Sequence, residues 1–135
     1  MKQLIQSFKT GELGLFEVPA PVCQENGALV QTTLSLVSAG TEKMLVDFAK
    51  KSLLAKAKDR PDLVKQVIGK MKKEGVKNTL EKVFTKLDSP IPLGYSSAGR
   101  VIEVGSNMSG LNVGDRVACG GAGYANHSEI NYVPK

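Results

Sequence analysis

The sequence has no tryptophan, a single histidine and two cysteines in 135 residues. Each scarcity removes a class of function. Cys23 and Cys119 stand alone, so no cytosolic disulfide is expected and both read as ordinary thiols. A structural zinc site takes about four Cys, His or carboxylate ligands, more than two lone thiols and one imidazole supply. With aromatics at 5%, the core must be aliphatic. No apolar run nears the ~20 residues that span a bilayer, so no membrane span is expected. The first residues, MKQLIQSFKTGEL, hold no apolar h-region and no small-residue cleavage site. No secretory signal is expected, and the cytoplasm is the expected compartment. Without export, the sequons at Asn107 and Asn126 carry no meaning.

What is present is uneven. Residues 43–88 hold 13 Lys or Arg against 6 Asp or Glu, whereas the remainder holds 5 against 7. The net charge of +5 therefore belongs to one segment. That segment has no Tyr or Trp to stack a base, and its lysines recur on the polar side of amphipathic patterns. A solvated face explains them, and nucleic acid is not an expected partner.

The period of the apolar residues changes twice. Residues 1–42 read as β-structure: LGLFEVPAP stops at prolines, and ALVQTTLSLVSAG alternates and is rich in β-branched residues. Residues 43–88 read as two or three short helices. MLVDFAKKSLLAKA is dense in helix formers. RPDLVKQVIGKMKKEG places Pro61 at a first helical position, Gly75 at the end, and Leu63, Val64, Val67, Ile68 and Met71 on one face. NTLEKVFTKL predicts a capped start at Asn78 with Glu81 three residues on, and a stripe of Leu80, Val83, Phe84 and Leu87. Residues 89–135 return to short strands, AGRVIEVG, GDRVAC and EINYVP, with glycine corners that suggest a small barrel or curled sheet.

Few residues carry chemistry. GGAGYA, residues 120–125, lacks the third glycine of a dinucleotide loop and has no room for the helix that should follow. His127 has the side-chain type of a general base, but a lone histidine between Asn126 and Ser128 reads as a solvated loop residue. In SAGTE, residues 38–42, a hydroxyl beside a carboxylate at a strand end suits substrate positioning or proton relay. Helix capping by Ser38 or Thr41 explains the same residues equally well.

The order of the pieces resembles the N-terminal, GroES-like catalytic domain of the medium-chain dehydrogenase/reductase superfamily, relatives of zinc alcohol dehydrogenase. Ala39-Gly40-Thr41-Glu42 stands where that family has Cys-Gly-(Thr/Ser)-Asp. The run from Gly94-Tyr95-Ser96 through Gly99-Arg100-Val101 to Val104-Gly105 keeps the glycine and valine spacing of its Gly-His-Glu motif, and Gly114-Asp115-Arg116-Val117 and Val133-Pro134 follow in order. The resemblance covers residues 1–42 and 89–135. It implies a mainly β fold with inserted helices, a partly open GroES-like β-barrel. It implies one domain, residues 1–135, with a basic helical insert at 43–88.

The departures decide the expected chemistry. Ala39 and Tyr95 replace the family's catalytic zinc ligands, Ser96 replaces the acidic neighbour, and the cysteine-rich lobe of a structural zinc is missing. The resemblance therefore implies the zinc-free branch: the substrate-side part of an NAD(P)-dependent oxidoreductase acting on a carbonyl, alcohol or enone, a sugar derivative among the options. NAD or NADP would bind mainly to a Rossmann domain, which the family carries beyond the point where Lys135 stands, so the chain alone is expected to be inactive. Thr41 and Tyr95 are the expected catalytic donors, with Glu42 and Ser96 as substrate-binding support and no metal ligand. The partner is a small-molecule substrate, and homo-oligomerisation stays open. The competing expectation is a non-enzymatic interaction module with a basic helical surface.

Overall fold

The computed structural model describes residues 1–7 and 10–135, with the side chains of Leu53, Phe84, Lys86, Leu87 and Asp88 outside the described residues. The expected apolar stripe at Phe84 and Leu87 falls among these. The chain divides into two compact units: Met1–Ile5, Gly14–Glu42 and Pro92–Lys135 form the first, Gln6–Leu13 and Lys43–Ile91 the second. The chain is mainly β with inserted helices.

Strand β3 (Gly27–Ser35) is the spine of the first unit. It pairs antiparallel with β5 (Ser96–Val104) on one side and β7 (Ile130–Pro134) on the other. β6 (Arg116–Gly120) pairs with β5 at the edge, giving the order β6-β5-β3-β7. A second sheet has the order β2-β1-β4, from β1 (Lys2–Ser7), β2 (Leu13–Glu17) and β4 (Pro90–Pro92). Both sheets are open, as a partly open barrel requires.

The alternation read from the sequence is the packing pattern. On β5, Ser97, Gly99 and Val101 are buried while Arg100 and Ile102 between and beyond them face out. Val101 joins Ala28, Val30, Cys119 and Ala125 in the core, with Val104, Leu111, Val117 and Val133 packed against them. Burial pushes the Cys119 thiol up, with the Ser97 hydroxyl pulling the other way. Gly-Asp-Arg-Val closes the turn into β6: the Asp115 carboxylate accepts the Asn112 N–H at 2.8 Å. Gly121 to Ala125 form a tight turn, with Tyr124 and Ala125 N–H donating to the Gly121 carbonyl, and not the opening of a nucleotide-binding helix.

Four helices are described: α1 (Thr41–Lys50), α2 (Leu53–Asp59), α3 (Pro61–Glu74) and α4 (Val76–Asp88). α3 follows the sequence reading, with Pro61 in its first turn and Gly75 at its end. Asn78, however, does not start the next helix. Gly75, at φ +86°, ends α3 and at once begins α4, so Asn78 lies inside α4 and its amide donates to the Glu74 carbonyl. One lysine departs from the expected outer face. Lys56 is 6% exposed, donates from Nζ to the Ala49 carbonyl at 2.7 Å, and burial lowers its pKa. No helix is long and apolar enough to cross a membrane among the described residues.

Candidate active site

The polar cluster of the first unit lies where β3 ends. A register shift between Thr32 and Leu34 leaves Thr33 without a partner on β5. Such bulges re-aim the side chains that follow them. Beyond it, Ser35 sits opposite Ser97, and the Leu36 N–H donates to the Ser96 carbonyl at 3.0 Å. The chain then passes through Ser38 into α1.

Glu42, in the first turn of α1, is 6% exposed. Oε1 accepts the Ser38 N–H at 3.0 Å, while the Glu42 N–H donates to the Ser38 carbonyl at 3.0 Å. Among the described residues neither the Ser38 nor the Thr41 hydroxyl caps α1; Ser38 meets Glu42 through its backbone alone. Oε2 lies 2.8 Å from Nε2 of His127. Burial pushes the Glu42 carboxyl up, but the Ser38 N–H and the His127 ring outweigh it, and its pKa is held below the ordinary carboxylate value.

His127 is not the solvated loop residue its neighbours suggested. Its side chain is 8% exposed, and Nδ1 lies 2.8 Å from the Ser35 hydroxyl. The backbone is clamped on both sides: its N–H donates to the Leu93 carbonyl at 2.8 Å and its carbonyl accepts the Leu4 N–H at 2.9 Å. Gly94 makes this approach possible. At φ +95° it adopts a conformation unfavourable to L side chains, and a Cβ there would stand 2.6 Å from the His127 nitrogen. The first glycine of the Gly94-Tyr95-Ser96 motif thus seats the histidine.

Asn131 holds the same loop from β7. Its Oδ1 accepts the Asn126 N–H and the Ser128 hydroxyl, and its amide donates to the Asn126 carbonyl and to Thr32 Oγ1. The sequence carried one sign of this: Asn is depleted in strands, yet Asn131 takes the buried phase of EINYVP, at 3% exposure.

The four expected site residues are placed as follows. Thr41 is exposed at the start of α1, Glu42 is buried against His127, and Tyr95 and Ser96 are half-buried where β5 begins. The side chains of Thr41, Tyr95 and Ser96 make no hydrogen bond among the described residues. Glu42 is thus joined to His127 and, through it, to Ser35, two residues the sequence reading did not choose, and not to the other three.

Zinc, which the fold family suggests, does not fit these residues. The family's ligand positions hold Ala39 and Tyr95, and both Glu42 oxygens and both His127 nitrogens face partners within the fold. Among the described residues no group of three His, Cys, Asp or Glu side chains is placed to hold a metal ion.

The family of the alcohol dehydrogenase GroES-like domain matches residues 63–133. The chain belongs to that family. The match begins within α3 and takes in the Gly94 and Gly114 motifs of the GroES-like domain. Its fold is similar to that of the quinone oxidoreductase from Coxiella burnetii, at 23% identity and a TM-score of 0.55, over 99% of this chain and 34% of that one. The galactitol-1-phosphate dehydrogenase from Escherichia coli is similar at 16% identity and a TM-score of 0.63, over 100% and 36%. Alcohol dehydrogenase TADH from Thermus sp. ATN1 is similar at 19% identity and a TM-score of 0.60, over 99% and 37%. At these identities the likeness is one of fold, and the chain spans about a third of the length of each. No curated protein matches the chain.

Proposed function

We propose that this domain is the substrate side of a zinc-independent, NAD(P)-dependent oxidoreductase acting on a small carbonyl, alcohol or enone. Family membership supports the reaction class. The observation that most supports zinc independence is the donor set, in which Tyr95-Ser96 takes the place of His-Glu and the single histidine is committed to Ser35 and Glu42. The nicotinamide, bound mainly outside this chain, would supply the hydride chemistry. The chain's own work is to bind the substrate and to polarise its oxygen. Without a metal that falls to hydroxyl donors, for which Thr41 and Tyr95 are the candidates, with Ser96 in support and Glu42 acting through His127.

The test is made on the full-length gene product. NAD(P)H should bind, and turnover should survive chelation and exhaustive dialysis. Tyr95→Phe should lower turnover on the order of 10²–10³-fold, the usual loss for one such donor. Turnover that disappears with chelation and returns with zinc would overturn the zinc-independent reading. Absent NAD(P)H binding, with salt-sensitive retention on an anionic polymer, would favour an interaction module built on the lysine-rich helices.

A further inference from the structure

We infer that Ser35, His127 and Glu42 form a proton relay whose open end, the Ser35 hydroxyl, exchanges a proton with the substrate oxygen. The inference rests on the oxidoreductase reading and names a route for the proton that accompanies the hydride.

The chemistry of the ends fixes the direction of the bonds. Glu42 Oε2 stands 2.8 Å from Nε2, and an ionised carboxylate only accepts, so Nε2 carries the ring proton. In the neutral ring Nδ1 then presents a lone pair, and in the relay the Ser35 hydroxyl, 2.8 Å away, donates to it. Burial favours a protonated Glu42, but the Ser38 N–H and the His127 ring prevail and keep the carboxyl ionised. The relay has one sealed end and one open end. Its inner side chains, Glu42 and His127, are each 8% exposed, whereas Ser35 is exposed. The inner groups are also held in place: Glu42 by the Ser38 N–H, and His127 by Leu4, Leu93 and the Asn131 network. Such rigidity is what a group that moves protons over hydrogen-bond distances needs.

In the oxidising direction the substrate hydroxyl gives its proton to Ser35 Oγ as the Ser35 proton passes to Nδ1. The oxidised nicotinamide, when bound, would accept the hydride from the carbinol carbon. The products are a carbonyl, a reduced nicotinamide and an imidazolium facing the Glu42 carboxylate. The imidazolium proton returns to water through Ser35. Within the relay Ser35 is the group that touches substrate, beside the Thr41 and Tyr95 donors; His127 and Glu42 act through it.

The single histidine makes the test specific. In this chain with 15N-labelled histidine, NMR should show the ring proton on Nε2 and in slow exchange with water. Ser35→Ala should keep that signal, and Glu42→Gln should abolish it. In the full-length protein, Ser35→Ala should lower kcat on the order of 10²-fold with KM little changed, and Ser35→Thr should restore it. Ser35 is exposed, so its truncation opens no buried cavity, and Ser35→Thr, which keeps the hydroxyl, is the control for folding. A ring proton on Nδ1, or wild-type kcat in Ser35→Ala, would overturn the relay and leave the oxidoreductase reading standing. Absent NAD(P)H binding would overturn both, whatever the position of the ring proton.

Discussion

The two units of the chain differ in where most of their charged side chains find partners, although the second also buries Gln6, Lys56 and Thr79. In the first, side-chain hydrogen bonds join distant parts of the sequence: His127 to Ser35, His127 to Glu42, and Asn131 to Thr32. Glu42, Ser128 and Asn131 are buried there with their side chains hydrogen-bonded. In the second, the ion pairs Lys43–Asp47, Lys51–Asp59, Arg60–Asp62 and Lys82–Glu74 are local in sequence and exposed. Exposed pairs gain little over water and are screened by salt. Buried networks fix geometry, because each group has given up water and must keep its partner. A site that moves protons needs that fixity, and the His127 cluster of the β-rich unit has it.

The sharpest way to break this contrast is at glycine. Gly99 lies where β5 meets β3, and a Cβ there would stand 2.1 Å from the Gln31 carbonyl oxygen. Backbone cannot yield as a flexible side chain does. Gly99→Ala should cost about 3 kcal/mol or more of unfolding free energy, read by urea denaturation. A loss below about 1 kcal/mol would mean that the strands tolerate separation and that the close approach is not a constraint.

Glu42→Gln comes next. It removes the ionised partner of His127 and should cost about 1–3 kcal/mol at neutral pH. The pH dependence has a definite sign. The Glu42 pKa is held below its ordinary value of 4.5, so its stabilisation is present above that value and lost as pH falls through the lower folded value. The gap in unfolding free energy between wild type and Glu42→Gln should therefore narrow below about pH 4.5. A gap that stays constant on acidification would show that Glu42 braces α1 only as a hydrogen-bond acceptor.

These effects track what is local in the sequence and what is not. The strands of the first unit were legible because their pattern is local: alternation along β5, glycine corners, and turn chemistry such as Asp115 closing onto Asn112. Pro61 and Gly75 marked α3 for the same reason. Glu42 was legible as a carboxylate at a strand end beside Thr41. His127 was not, because its partners Ser35 and Glu42 stand 92 and 85 residues away and no local spacing encodes that meeting. The Asn78 start failed for a related reason. A capping pattern competes with backbone geometry, and Gly75 had already turned the chain into α4.

Gly69 supplies the opposite case and the smallest effect. It lies within α3, and a Cβ there would meet nothing within 4 Å. α3 buries none of its residues, so no packing constraint weighs against a side chain. Glycine in a helix interior costs roughly 0.5–1 kcal/mol relative to alanine, because the unfolded chain loses more freedom on folding. Gly69→Ala should therefore stabilise the chain by about that amount, seen as a higher urea midpoint at unchanged slope. One substitution would then act with opposite sign in the two units, destabilising where β5 meets β3 and stabilising on an open helix. A destabilising Gly69→Ala would break the contrast, since it would mean that α3 has a close neighbour at that point and that its exposed face is an interface.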